Sequence, residues 1–131
     1  MTPKELDDLE IFVLDHVEKI RSKKVISGPE AEQRAGEFLY AVGMISNARR
    51  RINDDRILIE TQTKVKYAQA IGSAEGKNVT EKKINAECNP DYTDTYEILQ
   101  RLEGIITYLK TQEKVFENAH IFYRNLYRGA N

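Results

Sequence analysis

Tryptophan is absent, cysteine occurs once, histidine and methionine twice each, and proline only three times in 131 residues. Each scarcity removes a class of function. One cysteine, Cys88, can close no internal disulfide and has neither a second Cys nor a His at ligand spacing, so it reads as a small, partly buried thiol. Two isolated histidines, His16 and His120, leave no Glu-x-x-His or His-x-x-x-His pattern on a helix, and no glycine-rich phosphate loop follows a strand. The many carboxylates fit a charged helix surface without a metal. Expected catalytic, cofactor-binding and metal-binding residues are therefore none, and a metal-free hydrolase or transferase finds no constellation to work with. No apolar run reaches the about 18 residues of a membrane span. Met1 to Asp8 is acidic where a secretory signal is basic and then apolar, so a cytoplasmic protein with no membrane partner is expected.

What is present is helix-forming sequence. Seven glycines and three prolines punctuate long stretches of Glu, Lys, Ala, Leu, Ile and Arg, with 40% apolar and 31% charged residues. That composition predicts an all-α fold with one modest core. The expected organisation is a single helical domain, with an N-terminal helix within 1–26 and a long-helix hairpin over 27–131 that includes a short intervening helix.

Thr2, Pro3 and Glu5 read as an N-cap, a first-turn proline and a capping carboxylate, after which Leu6, Leu9, Val13, Val17 and Ile20 repeat at helical spacing over roughly 3–24. Acids come early in this helix and bases late, which suits the helix dipole. The other reading is an acidic arm that docks on a basic partner or on the protein's own basic face. Ser27-Gly28-Pro29-Glu30 restarts the chain. From there Ala35, Phe38, Val42, Ile45, Arg49, Ile52, Arg56, Ile59, Thr63, Lys66 and Ala70 keep a four-three spacing, a coiled-coil seam over about 40 residues and roughly 60 Å of helix. Arg49 and Arg56 on that seam can lay their stems on apolar surface. Gly36 and Gly43, one heptad apart, either admit a second backbone or are tolerated at about 1 kcal/mol each.

Gly72 to Asn78 is a turn cluster, and Val79 and Ile84 bracket Thr80 at the offsets of a hydrophobic staple on a short helix over about 80–88. Asn89-Pro90 ends that helix. The last helix begins between Asp91 and Asp94 and carries Leu99, Leu102, Ile106, Leu109, Glu113, Phe116, His120, Tyr123 and Tyr127 at three-four spacing. This seam is expected to lie antiparallel on the long second helix, with Phe116 in the core and His120 packed and hydrogen-bonded.

For a chain of net charge −1, the cations are unevenly placed. One patch holds Arg49, Arg50, Arg51, Arg56, Lys64, Lys66 and Tyr67, with Lys77, Lys82 and Lys83 just beyond the turn. A second interleaves His120, Phe122, Tyr123, Arg124, Tyr127 and Arg128. Alternating cations and rings suit a single nucleic-acid strand, whose phosphates need charge and whose unstacked bases need flat partners. Phe122 and Tyr123 cannot both face water on a packed helix, so one or two of these rings are expected to be free. Nothing resembles a helix-turn-helix, zinc finger or basic zipper, which argues against reading a duplex sequence.

From Leu58 to Gly72, Ile59-Glu60-Thr61-Gln62 leads into Lys64-Val65-Lys66-Tyr67 and the helix ends at a glycine; here the chain resembles the UvsY-like recombination mediators of tailed phages. The resemblance extends over roughly 30–129, through the lysine-bearing short helix, the long helix from Asp94 past Leu102 and Leu109, and the bulky basic segment Ile121 to Gly129. The first helix departs from the family's N-terminal segment, and Ala70-Ile71 stand where the family often has an aromatic pair. The resemblance implies a ring-like homo-oligomer that binds single-stranded DNA and helps load a RecA-like recombinase onto strands covered by single-stranded-DNA-binding protein. It implies DNA contact by Lys64, Lys66 and Tyr67; Arg49, Arg50 and Arg51 come from charge clustering alone. The alternative is a non-catalytic helical adaptor between proteins, a phage structural, chaperone or host-inhibitor protein without DNA binding.

Overall fold

The computed structural model describes residues 2–22 and 27–130, Ala130 by its backbone alone. The chain is all-α, with four helices and no strand among the described residues: α1 (Pro3–Arg21), α2 (Gly28–Ser73), α3 (Val79–Glu87) and α4 (Pro90–Ala130). No helix among them is long and apolar enough to cross a membrane.

Local signals set the ends of these helices. Thr2 Oγ1 accepts the Glu5 N–H at 3.1 Å and Pro3 opens the first turn of α1. The capping carboxylate expected of Glu5 goes elsewhere, accepting from Arg51 Nη2 at 3.0 Å. α1 ends at Arg21 with Ser22 as its C-cap, earlier than the expected residue 24, and residues 23–26 lie outside the described set. Ser27 Oγ accepts the Glu30 N–H at 3.3 Å, and α2 then runs 46 residues with no proline after Pro29 in its first turn.

Asn78, not Thr80, caps α3, its Oδ1 accepting the Glu81 N–H at 2.9 Å while the Glu81 carboxylate accepts the Lys77 N–H at 2.7 Å. Val79 therefore lies inside the first turn, too late to staple, and both Val79 and Ile84 are exposed. Gly76 is obligatory in this turn, since a Cβ there would sit 2.9 Å from the Lys82 nitrogen. At Gly36 and Gly43 a Cβ would meet nothing within 4 Å, so no close approach within the chain uses them. Asn89 Oδ1 accepts the Asp91 N–H and Pro90 opens α4.

The chain forms two compact units, Met1–Arg51 with Thr107–Asn131 (unit 1) and Ile52–Ile106 (unit 2). In unit 1, α1, the first part of α2 and the last part of α4 converge. Ala35 pairs with His120 and Arg49 with Glu113, so α2 and α4 are antiparallel here. Every expected seam position of this part of α2 is buried or half-buried, and Ala41 and Ala48 are buried as well. The stripe is wider than a two-helix seam because α1 also covers α2, through Lys19 to Glu37 and Glu5 to Arg51. Phe38 and Phe116 have no exposed surface, which stabilises the unit by about 1.5–3 kcal/mol per ring. His16, buried from α1, lies 4.3 Å from Phe12 and 5.7 Å from both Phe38 and Phe116, ring to ring.

Unit 2 joins the second part of α2 to α3 and the start of α4. Its buried set is Ile52, Thr63, Ala70, Ala86, Leu99 and Ile106, small and aliphatic throughout. Thr63 is buried without cost because its Oγ1 donates to the Ile59 carbonyl at 2.7 Å. Arg56, Ile59 and Lys66 are half-buried along the same stripe.

Candidate nucleic-acid interface

α2 carries the expected cations into different surroundings: Arg49, Arg50 and Arg51 belong to unit 1, and Arg56, Lys64, Lys66 and Tyr67 to unit 2. Lys77 precedes α3, Lys82 and Lys83 lie on it, and Arg124 and Arg128 occupy the last turns of α4 in unit 1.

Arg49, Arg50 and Arg51 of unit 1 are engaged within the chain. Half-buried Arg49 donates through Nε to Glu113 Oε2 at 3.0 Å. Arg51 holds Glu5 at 3.0 Å, and Arg50 donates to Asn47 Oδ1 at 3.1 Å. Arg124 is half-buried, with its Nε out of water and without a hydrogen-bond partner, while Arg128 is exposed. The terminal rings divide sharply. Phe116 is fully buried and Tyr123 is buried with its ring 3° from parallel to Phe38, whereas Phe122 is 60% exposed. His120 Nδ1 donates to the Ala35 carbonyl at 2.7 Å, a packed structural histidine.

Unit 2 leaves more of its charge available. Arg56 grips Glu60 at 2.7 Å and Lys64 approaches the same carboxylate at 3.5 Å, so two cations share one anion. Lys66, Lys82 and Lys83 have no ion-pair partner among the described residues, and the Lys64 side chain is 77% exposed. From Arg56 to Lys83 the sequence holds six Lys and Arg against three acids, and from Glu87 to Glu103 five acids against one arginine. The unit opens with Asp54 and Asp55, so its basic excess is confined to Arg56–Lys83 and is followed by an acidic stretch. Tyr67 is half-buried, its ring centroid 4.9 Å from that of Tyr92. Burial raises the Tyr92 phenol above the usual tyrosine range, with Tyr96, Tyr67 and Glu87 adding to the effect.

No family model, curated protein or solved structure matches the chain.

Cys88 is exposed, contrary to the partly buried thiol expected from sequence, because it is the C-cap of a nine-residue helix whose only buried side chain is Ala86. Among the described residues no group of three or more His, Cys, Asp or Glu could hold a metal. His16 lines a groove with Asp15, Glu18, Lys19, Ser22 and Arg34, yet its Nδ1 is committed to the Phe12 carbonyl at 2.8 Å.

Several working residues escaped sequence reasoning. Arg34 Nη1 donates to the Lys19 carbonyl and to the Tyr123 hydroxyl, both at 3.2 Å, with its guanidinium 5.6 Å from the Tyr123 ring centre. Glu113 had a readable signal: it interrupts an apolar seam on α4 as Arg49 does on α2, and antiparallel pairing brings the two together. Glu5 and Tyr92 had none, because their partners depend on tertiary contacts between segments distant in sequence.

Proposed function

We propose that this chain binds single-stranded DNA through the basic stretch Arg56–Lys83 of unit 2 and acts as a recombination mediator, helping to load a RecA-like recombinase onto strands covered by single-stranded-DNA-binding protein. The observation that carries the reading is the basic excess of Arg56–Lys83, with Lys66, Lys82 and Lys83 unpaired among the described residues and Lys64 exposed. Cations not committed to carboxylates are the ones that release counterions when phosphate arrives. The likeness of Leu58 to Gly72 to the UvsY-like mediators supports the same segment. Contact would be to phosphates and stacked bases without sequence readout, in the cytoplasm.

Assembly into a homo-oligomeric ring belongs to the proposal. Leu39, Tyr40 and Met44 on α2 and Phe122 on α4 are exposed apolar side chains that a second copy could cover. Many weak sites on one ring gain affinity through effective concentration. Binding of a fluorescent single-stranded oligonucleotide at two salt concentrations, with the mass in solution from light scattering, tests both parts. Tight, salt-sensitive binding by a closed oligomer supports them; no binding at low salt rejects the mediator.

The same exposed apolar side chains, with Arg49 and Arg51 already neutralised, favour a second reading, a helical adaptor between proteins. An intact oligomer that ignores DNA at low salt selects it.

A further inference from the structure

We infer that Tyr96 and Tyr92, together with Tyr67, form a stacking platform for the unpaired bases of a single strand. The inference rests on the DNA-binding reading of unit 2 and adds to it two residues from α4. Three rings stand in series, Tyr67 to Tyr92 at 4.9 Å and Tyr92 to Tyr96 at 5.7 Å, the second pair only 28° from parallel. Tyr67 and Tyr92 are half-buried, and Tyr96 at the end of the row is 42% exposed, so the series runs from partly covered rings to an open face.

Core packing does not demand these rings. The buried residues of unit 2 are small and aliphatic, whereas in unit 1 Phe38, Phe116 and Tyr123 are themselves buried. A row of phenols outside an aliphatic core supplies what a base needs, a flat apolar face held in position by a neighbour. The surrounding charge gives the strand a direction. Lys64 and Lys66 precede Tyr67 on α2, while Glu87, Asp91 and Asp94 flank Tyr92 in the sequence. Phosphates are therefore favoured along the α2 edge and bases toward α4, where carboxylates repel a backbone but not a neutral ring. Tyr92 stays a neutral phenol at physiological pH, adding no charge against the strand.

The test uses the full chain and two labelled probes of equal length, an oligo-dT strand and a strand of abasic sites with the same phosphates. The parent protein should bind oligo-dT about five- to a hundredfold tighter than the abasic strand, the range that one stacked base supplies. With no tryptophan to mask it, tyrosine emission can be followed, and the part of its quenching that Tyr96→Ala removes reports stacking at this site. Tyr96→Ala should abolish the preference and reduce the quenching while leaving abasic binding, its salt slope and helicity by circular dichroism unchanged; Tyr96→Phe should retain the preference. If Tyr96→Ala keeps the full preference for oligo-dT, the platform is wrong and phosphate binding stands. If the parent binds both probes equally, stacking is absent from the site. If neither probe binds at low salt, the DNA reading falls and takes the platform with it.

Discussion

Unit 1 buries the rings of Phe38, Phe116 and Tyr123 and pairs Arg49 and Arg51 with carboxylates, whereas unit 2 buries small and aliphatic side chains and leaves Lys64, Lys77, Lys83 and an edge tyrosine exposed. Both kinds of residue looked alike as sequence: Arg49 to Arg51 and Lys64 to Tyr67 lie on one helix, less than twenty residues apart. The difference is the number of helices laid over α2. Where α1 and α4 both cover it, acids on each can reach an arginine, Glu5 to Arg51 and Glu113 to Arg49. In unit 2 Arg56 and Lys64 of α2 share Glu60, on α2 itself. Charge density along a chain thus overstates binding capacity wherever the cations have tertiary partners.

The largest effect is expected in the ring core. Phe116→Ala should cost about 3–5 kcal/mol in urea unfolding, since it opens a cavity against Phe38 and His16. Leu99→Ala in unit 2 should cost about 2–3 kcal/mol, because that residue keeps a 9% exposed edge and its surroundings can relax. Equal losses would mean that the two units do not differ in packing as their buried sets suggest.

Binding should separate the units in the opposite sense. Lys64→Ala with Lys66→Ala should weaken oligonucleotide binding roughly tenfold or more at low salt, as expected for two lost charge-assisted contacts. The slope of log affinity against log salt should flatten by about 1.4, from about 0.7 per phosphate on a single strand. Arg49→Ala with Arg51→Ala should leave that slope nearly unchanged. A larger slope change in the arginine pair would move the interface into unit 1.

The fold was legible because helix periodicity is a local property that packing then uses. All eleven seam positions read on α2 and all nine on α4 are buried or half-buried, and Thr2 and Ser27 act as caps. Errors fell where two local solutions compete within two residues. Asn78 and Thr80 can each cap a helix, and Gly76 decides between them by fitting against the first turn of α3. His16 was unreadable as core because an imidazole on an apolar stripe takes its place from three rings that arrive from α1, α2 and α4. The cations of the candidate site were all visible, but their partners were not. Pairing of Arg51 with Glu5 spans 46 residues, and no periodicity encodes it.

A cap replacement gives a smaller effect confined to unit 2. Asn78→Ala should cost about 1 kcal/mol, read as faster amide exchange in α3, by leaving the Glu81 N–H without its acceptor. Protection lost equally through unit 1 would show that the units unfold as one.

The smallest stability change should come from Glu5→Gln, which breaks the Arg51 pair on a part of unit 1 where both side chains are largely in water, at 51% and 41% exposure. Such a pair contributes under about 0.5 kcal/mol, because Coulomb attraction is screened and two long side chains lose rotamer freedom to make it. Its value lies in what it frees. Arg51 would regain an uncompensated charge, and the acidic first helix would lose its ion pair with the arginine cluster. If DNA contact is confined to unit 2, oligonucleotide affinity should not move while stability falls by that small amount. A gain in affinity with a steeper salt slope would mean that α1 shields a second phosphate-binding surface on unit 1, and that the division between the units is one of availability, not of design.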